Sequence, residues 1–427
     1  MRILVLLPRF PYPLDKGDKL RAYHQIAELS KRHEVYLFAL SHTQVPHEHY
    51  DHLHTICTAV DYVHLHWWEA AWGVLKAFLA GKPLQLGYWT SRRARRAFAA
   101  WQRQVQPDVV YCQMVRTMPT AGNSSCRKVL DFQDALSLNT RRRMERSKGL
   151  LRIILKYEYR ALQRTEQEAL RTFDATTIIC QTDKTAIAGG ESIVIVPNGV
   201  DTEYFKVDSG QRTEERGKRK EENGKRKEES PDNLSTYQHI NVSTYQHINV
   251  STKYTVLFSG NMSYAPNVDA ARYLVEEIMP LVWETVPHAT VLLAGADPAP
   301  AVRALAAKGP EGKVTVSGRL PDIRTAYASA RIFAAPMRIG SGMQNKLLEA
   351  MAMHLPCVTT TLAATPLGAT AWEHLLVGDT ATQLADLIVK LTTNELHDAV
   401  ADGGRRFVLE RHSWPAAVAP LEETLKK

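Results

Sequence analysis

The sequence predicts two α/β domains, each a Rossmann-like, doubly wound parallel sheet, joined by a linker with no core of its own. Three observations predict this. Apolar runs of strand length alternate with amphipathic stretches over residues 1–205, the same alternation resumes at residue 254, and short tandem repeats lie between. Strands alternating with helices build a parallel sheet covered on both faces. With 427 residues, 44% of them hydrophobic, the chain is long enough for two such cores.

In order along the chain, residues 3–7 predict a first strand and residues 21–31 an amphipathic helix. Residues 35–40, 109–112, 129–132, 176–180 and 194–196 supply further strands, the last running into Pro197-Asn198-Gly199-Val200-Asp201. From 206 to 253 the pattern stops. Gly217-Lys218-Arg219-Lys220-Glu221-Glu222 recurs as Gly224-Lys225-Arg226-Lys227-Glu228-Glu229, and the eight residues from Ser235 are repeated identically from Ser243. Repeats without an apolar face cannot build a core, so a disordered insertion is expected here. Strands follow at 255–259, 290–294, 314–317, 332–335 and 357–360, with helices at 267–285, 301–308, 322–329, 345–353 and 382–391. Residues 254–410 form the second domain, and a helix within 411–427 is placed to cross back onto the first. Open α/β sheets bind ligands at the carboxyl ends of their strands, so both sheets are expected to face one cleft.

A net charge of +8 favours an anionic partner: nucleic acid, nucleotide phosphate and an acidic membrane surface are all compatible with it. Acidic residues interleave with the basic ones of the repeats, so no nucleic-acid partner is expected there. Five scattered cysteines without a C-x-x-C pair argue against a disulfide framework or a zinc site and for a reducing cytoplasm. The opening apolar run is too short for a signal peptide, and no segment reaches the roughly 18 apolar residues of a membrane span. His42, His47, His49, His52, His54, His64 and His66 fit no zinc spacing, and a solvent-exposed loop is expected for them.

The most informative stretch runs from Ala335 to Ala352, where an apolar strand enters a glycine-containing turn, Gly340-Ser341-Gly342-Met343-Gln344-Asn345, and opens a helix. Glycines let backbone N–H groups approach an anion, and a helix N-terminus adds its positive dipole end. Lys346 supplies a full charge at the same place, and Glu349 can accept hydrogen bonds from sugar hydroxyls. A P-loop is excluded, because Asn345 and Leu347 flank the lysine where glycine and Ser or Thr belong. A dinucleotide fingerprint is excluded too, with Asn345 at the third glycine's place. The alternative is a plain strand-to-helix loop with Glu349 as a charge complementing the dipole.

The order of these features resembles the retaining GT-B glycosyltransferases of glycosyltransferase family 4. The resemblance rests on three pieces: the 197–201 turn, Phe258-Ser259-Gly260-Asn261-Met262 with Pro266-Asn267-Val268-Asp269, and the helix opening at Lys346. The second and third pieces, the latter with Arg338-Ile339 before it, are similar to an exopolysaccharide subgroup associated with PEP-CTERM/exosortase loci. The resemblance implies a nucleotide-sugar co-substrate, no metal or other cofactor, and transfer to a glycan or lipid-diphosphate-linked acceptor in cell-surface polysaccharide synthesis. It implies that Glu349 binds ribose or sugar hydroxyls and that Lys346, with N–H groups around Gly342–Gln344, neutralises the diphosphate. It places Gly318 and Arg319 beside the nucleobase, and Gly17 in a loop approaching the donor phosphate. The chain departs from the family pattern at Ser341, where the first glutamate of E-x7-E is expected, and at Asn261, where an arginine follows Gly260 in relatives. Arg338 is the candidate replacement cation, and Gly340, Met343, Gln344 and Asn345 complete the donor-binding set. His354 stands where a glycine usually follows the helix.

Asp131 and Asp134, at the end of the 129–132 strand and just beyond it, are candidates for orienting an acceptor, with Asp18 as a third; a turn or N-cap role is the alternative. A carboxylate pair is also what a glycosidase needs. A non-catalytic nucleotide-sugar-binding or scaffold protein is the other function class compatible with the missing glutamate. Arg92, Arg93, Arg95 and Arg96 follow an aromatic stretch containing Trp67, Trp68, Trp72 and Phe78. A second basic run at 141–156 brackets Leu150, Leu151, Ile153, Ile154 and Leu155. Basic and apolar residues sharing helices suit peripheral contact with an anionic membrane at the inner face, or a core with a solvated basic flank.

Overall fold

The computed structural model describes residues 1–122, 126–206, 253–340, 342–392 and 394–427. Its first half is a seven-stranded sheet of order β3-β2-β1-β4-β5-β6-β7, all parallel. The strands are β1 (Arg2–Leu7), β2 (Glu34–Ser41), β3 (Ala59–His64), β4 (Val109–Gln113), β5 (Arg127–Asp131), β6 (Ala175–Ile178) and β7 (Val194–Ile195). The second half repeats the plan with six strands in the order β10-β9-β8-β11-β12-β13. These are β8 (Tyr254–Ser259), β9 (Val291–Ala294), β10 (Val314–Gly318), β11 (Ala330–Ala335), β12 (Cys357–Thr359) and β13 (Leu376–Val377). Central strands covered by helices on both faces are apolar throughout their buried length, and residues 3–6 and 332–335 show it in sequences made of Val, Ile, Leu, Phe and Ala.

Two strands escape the sequence reading. At the sheet edge, β3 carries Asp61 and His64 and buries only Val60 and Val63, so it lacks the unbroken apolar run of its neighbours. The other, β13, is only two residues long. The expected loop of histidines is instead a helix, His47–His54. It is anchored by buried Leu53 and by His52, whose ring lies 4.4 Å from Tyr12 and whose Nε2 lies 3.0 Å from the Tyr23 hydroxyl. His49 and His52 are half-buried against tyrosine rings, whereas His47 and His54 are exposed as expected. The expected insertion, residues 206–253, lies outside the described residues except for its two ends.

The chain passes between the two sheets near residue 200 and again near residue 412, and the two passages touch. Val200 N donates to His412 O at 2.7 Å, and His412 Nδ1 lies 3.0 Å from Asn198 O. The last helix, Trp414–Lys426, packs on the Gly17–Ser30 helix of the first domain. Trp414, Val418, Leu421 and Leu425 join the same apolar core as Ile3 and Val5. Trp414 stacks on His24 at 4.6 Å, and a Cβ on Gly199 would fall 2.5 Å from its ring, so the close approach requires glycine there. At the far end, Glu422 accepts from Arg32 and Lys426 and meets His33. Replacing Trp414 by Ala is expected to cost the first domain roughly 3–5 kcal/mol, as for other buried Trp truncations. Urea denaturation of the full chain measures this, and an unchanged midpoint would contradict the anchoring role.

Candidate active site

In each sheet the first strand of the half lies between strands whose crossovers run in opposite directions, opening a crevice at the carboxyl ends. Beyond β8 the crevice floor is bare backbone. Gly260 has φ 151° and Gly295, beyond β9, has φ 142°; a Cβ on Gly295 would lie 1.8 Å from Gly260 O. A Cβ on Gly260 would press on Asn267 at 2.7 Å and on Lys346 Nζ at 3.0 Å. Side chains are excluded here because the two loops and a lysine already fill the space.

The helix Asn345–Ala352 rises from this floor. Leu347, Leu348, Ala350 and Met351 bury one face, which leaves Lys346 and Glu349 on the crevice side. No side chain caps its N-terminus, so the first-turn amides remain available to an anion. Lys346 Nζ donates to Asn267 Oδ1 at 2.6 Å and sits 4.7 Å from the Phe258 ring centroid. Removal from water lowers its pKa to about 8. Glu349 Oε2 accepts from the Tyr327 hydroxyl at 2.7 Å, and that hydroxyl lies 2.9 Å from Ser259 Oγ. Burial raises the Glu349 carboxyl, and the Tyr327 bond and the Lys346 charge partly offset it.

The opposite wall comes from the first domain. Arg21 is buried and donates through Nε to Asp131 Oδ2 at 2.9 Å, through Nη2 to Val196 O, and through Nη1 to Pro197 O and Asn198 Oδ1. Asn198 Nδ2 donates in turn to Asn345 Oδ1 at 3.1 Å, which ties the inter-domain turn to the first residue of the Lys346 helix. Asp134 stands across from the glycine turn: a Cβ on Gly342 would lie 3.2 Å from its Oδ1. Burial, with the nearby Asp183 charge, raises the Asp134 carboxyl to about 6. Asp18 accepts from Arg9 at 2.7 Å beside a small hollow at the ends of β1 and β4, also lined by Gln113 and Gln133.

Several expected site residues stand elsewhere. Asp131 has no exposed surface and is spent on Arg21, Tyr111 and the Gln133 amide, so it serves the framework and does not reach an acceptor. Arg338 is engaged by other partners: it pairs with Asp269 and Glu277 and lies over the Tyr273 ring at 4.0 Å. Two carboxylates and a ring already satisfy it, which counts against it as the replacement cation. Asn261 shapes its own turn through Ser263, and its carbonyl accepts from Asn267 Nδ2. Gly318 has φ 69° and accepts from Gly295 N through its carbonyl, whereas Arg319 is exposed and only 3.8 Å from Asp297. Around Gly17 a Cβ would meet open space, so nothing within the protein demands glycine there. Gly340 has φ 137°, Met343 packs against the second core, and Gln344 precedes the helix. Ser341 lies outside the described residues. His354 has φ 58°, the left-handed turn conformation that favours glycine.

Four residues of the arrangement escaped the sequence reading of roles: Arg21, Asn198, Asn267 and Tyr327. Their only signal was position, Asn198 and Asn267 within the quoted segments and the other two on helices. Each acts through a partner far away in sequence. Among the described residues no group of three or more His, Cys, Asp or Glu is placed to hold a metal ion.

Comparison with known proteins places two domains on this framework. Residues 20–204 match the Glycosyltransferase Family 4 model, and residues 253–394 match Glycosyl transferases group 1. The fold is that of GT-B glycosyltransferase structures. Sucrose-phosphate synthase from Thermosynechococcus elongatus superposes with a TM-score of 0.63 at 11% identity, covering 100% of this chain and 98% of that one. Anabaena Alr3699/HepE, solved in complex with UDP, gives 0.64 at 15% identity over 100% of both chains. WaaG, a glycosyltransferase involved in lipopolysaccharide biosynthesis, gives 0.59 at 16% identity, covering 100% and 99%. No curated protein matches the chain in sequence.

The raised Asp134 carboxyl has a measurable consequence. Its folded pKa, about 6, exceeds the ordinary value of 3.8, so folding loses stability as pH rises between these values and stays penalised above them. Asp134→Asn is therefore expected to melt higher than wild type at pH 8 and to lose that advantage at pH 4. Scanning calorimetry at the two pH values checks this, and equal differences at both would refute it.

Proposed function

Starting from a chain that is a GT-B glycosyltransferase, with a Family 4 domain ahead of a group 1 domain, we propose that it moves a sugar from a nucleoside-diphosphate donor to a glycan or lipid-linked acceptor. The observation that carries this reading is the pairing of Lys346 with the uncapped helix start at Asn345, beside Glu349. Cleavage of the donor's glycosidic bond puts negative charge on the leaving diphosphate and positive character on the anomeric carbon. Preplaced cations and amides aimed at the growing charge are the effective catalytic device. Lys346 and the turn amides from Gly342 to Asn345 supply them without a metal ion. Glu349, fixed by Tyr327, is positioned to accept from hydroxyls of ribose or sugar.

On the other wall, Asp134 orients the acceptor hydroxyl, whose oxygen attacks the anomeric carbon from the face the diphosphate leaves, with the proton passing to the leaving phosphate oxygen and the configuration retained. Support for a nucleotide donor comes from the Anabaena structures solved with UDP and with UDP-glucose, and for polysaccharide assembly from the lipopolysaccharide role of WaaG. We assign the chain to exopolysaccharide synthesis at the cytoplasmic face of the membrane, in keeping with the motif resemblance; no described helix is long and apolar enough to cross a membrane.

The chemistry sets a pH dependence. Lys346 carries charge below its pKa of about 8, so affinity for a diphosphate is present at lower pH and is lost as pH rises through that value. Calorimetric titration with UDP from pH 6.5 to 9.5 is expected to show that decline in wild type and none in Lys346→Met. In a UDP-release assay over a panel of UDP-sugars, Lys346→Ala and Glu349→Ala should each lower turnover at least ~100-fold. Wild-type turnover in both variants would overturn the site, and UDP binding with no sugar released or transferred would mark a binding protein instead.

A further inference from the structure

The helix Trp67–Leu79 is amphipathic in reverse. Its inner face is Ala70, Gly73 and Ala77, and its outer face is Trp67, Trp68, Trp72, Leu75, Phe78 and Leu79. Trp67 is 81% and Leu79 76% exposed. The orientation is locked, because Gly73 packs on the Leu84–Tyr88 helix so closely that a Cβ would lie 2.1 Å from Gly87 O. Rotating the helix to bury its tryptophans would drive larger side chains into that backbone contact.

A second apolar projection adjoins it. The Tyr157 hydroxyl donates to Lys82 O at 2.9 Å, and its ring lies 5.5 Å from the Phe78 ring. One turn earlier on the same Gly149–Thr172 helix stand Ile153 and Ile154, preceded by Leu150 and Leu151, all exposed. Large apolar side chains shared between adjacent helices of one surface mark an interaction site. The rim decides its partner. Arg143, Arg146, Lys148, Arg152 and Lys156 are exposed around the second projection, and Glu145, the one exposed acid of that stretch, pairs with Arg141. A second copy would bring like charges together, whereas an anionic bilayer offers hydrocarbon to the rings and phosphate to the rim. Tryptophan at the headgroup level and long basic side chains reaching phosphate are the features such a surface uses.

We infer that these two helices form a docking surface that seats the first domain on anionic phospholipid. The inference stands on surface chemistry and does not rest on the donor site. It places the bilayer on the domain that carries Asp134, which is followed directly by the Leu136–Arg146 helix of the basic rim. A lipid-linked acceptor would then meet the cleft from that side.

The test is co-sedimentation of the full chain with vesicles of two parts phosphatidylcholine to one part phosphatidylglycerol, and with phosphatidylcholine alone. Partition onto the anionic vesicles is expected to be at least ~10-fold stronger. Trp67→Ser, Trp72→Ser and Ile153→Ser combined should lower it a further ~10-fold or more while leaving UDP affinity in solution unchanged. Equal partition of the variant and wild type, or equal partition onto both vesicles, would overturn the inference. So would a vesicle-independent dimer that the combined variant dissolves, which would identify a self-association face. Loss of vesicle binding with UDP binding intact counts against this surface only, and absence of UDP binding counts against the donor site only.

Discussion

A guanidinium taken wholly out of water holds the two walls of the cleft in register. Arg21 and Asp131 are both essentially unexposed, and such a pair persists only where its remaining donors are also satisfied. Arg21 meets that demand with the carbonyls of Val196 and Pro197 and with Asn198, so the strand end, the inter-domain turn and the first sheet are bound to one side chain. Asn198 extends the bond to Asn345, and the helix that carries Lys346 and Glu349 starts there. Geometry set in the interior of one domain thereby fixes the start of the chemical helix in the other. The return of the Trp414–Lys426 helix adds a second tie to the same core.

Onto that frame the fold places three ionisable groups whose charged forms are all disfavoured by removal from water: Lys346 lowered to about 8, Glu349 raised, and Asp134 raised to about 6. Each would be unfavourable alone, and their convergence on one cleft is the physical ground for placing chemistry there. Lys346 donates to a neutral amide, Asn267, and feels the Glu349 carboxyl without bonding to it, so its hydrogen bond can be handed to an incoming anion. By contrast, Arg338 is neutralised by two acids and is chemically silent toward the cleft.

Local pattern made the frame legible and left the contacts hidden. Unbroken apolar runs disclosed the central strands, because burial on both faces demands them; the edge strand at Ala59–His64, buried only at Val60 and Val63, sent no such signal. The glycine turn and the Lys346 helix were visible for the same reason: steric and electrostatic needs write residue types at fixed spacing. Partnership across long separations is not written that way. Nothing near Asp131 distinguishes a carboxylate that will meet Arg21 from one that will meet an acceptor, and nothing near Arg338 announces Asp269 and Glu277. His49 and His52 misled in the opposite direction, since polar residues whose rings pack on Tyr12 and Tyr23 read as exposed in isolation.

The most direct measurement of the central claim is a crystal structure of the chain with UDP. The diphosphate is expected at the start of the Asn345–Ala352 helix, with Lys346 Nζ drawn from Asn267 to a phosphate oxygen and the amides of Asn345 and Lys346 facing it. UDP seated at the ends of β1 and β4, with Lys346 still on Asn267, would contradict it.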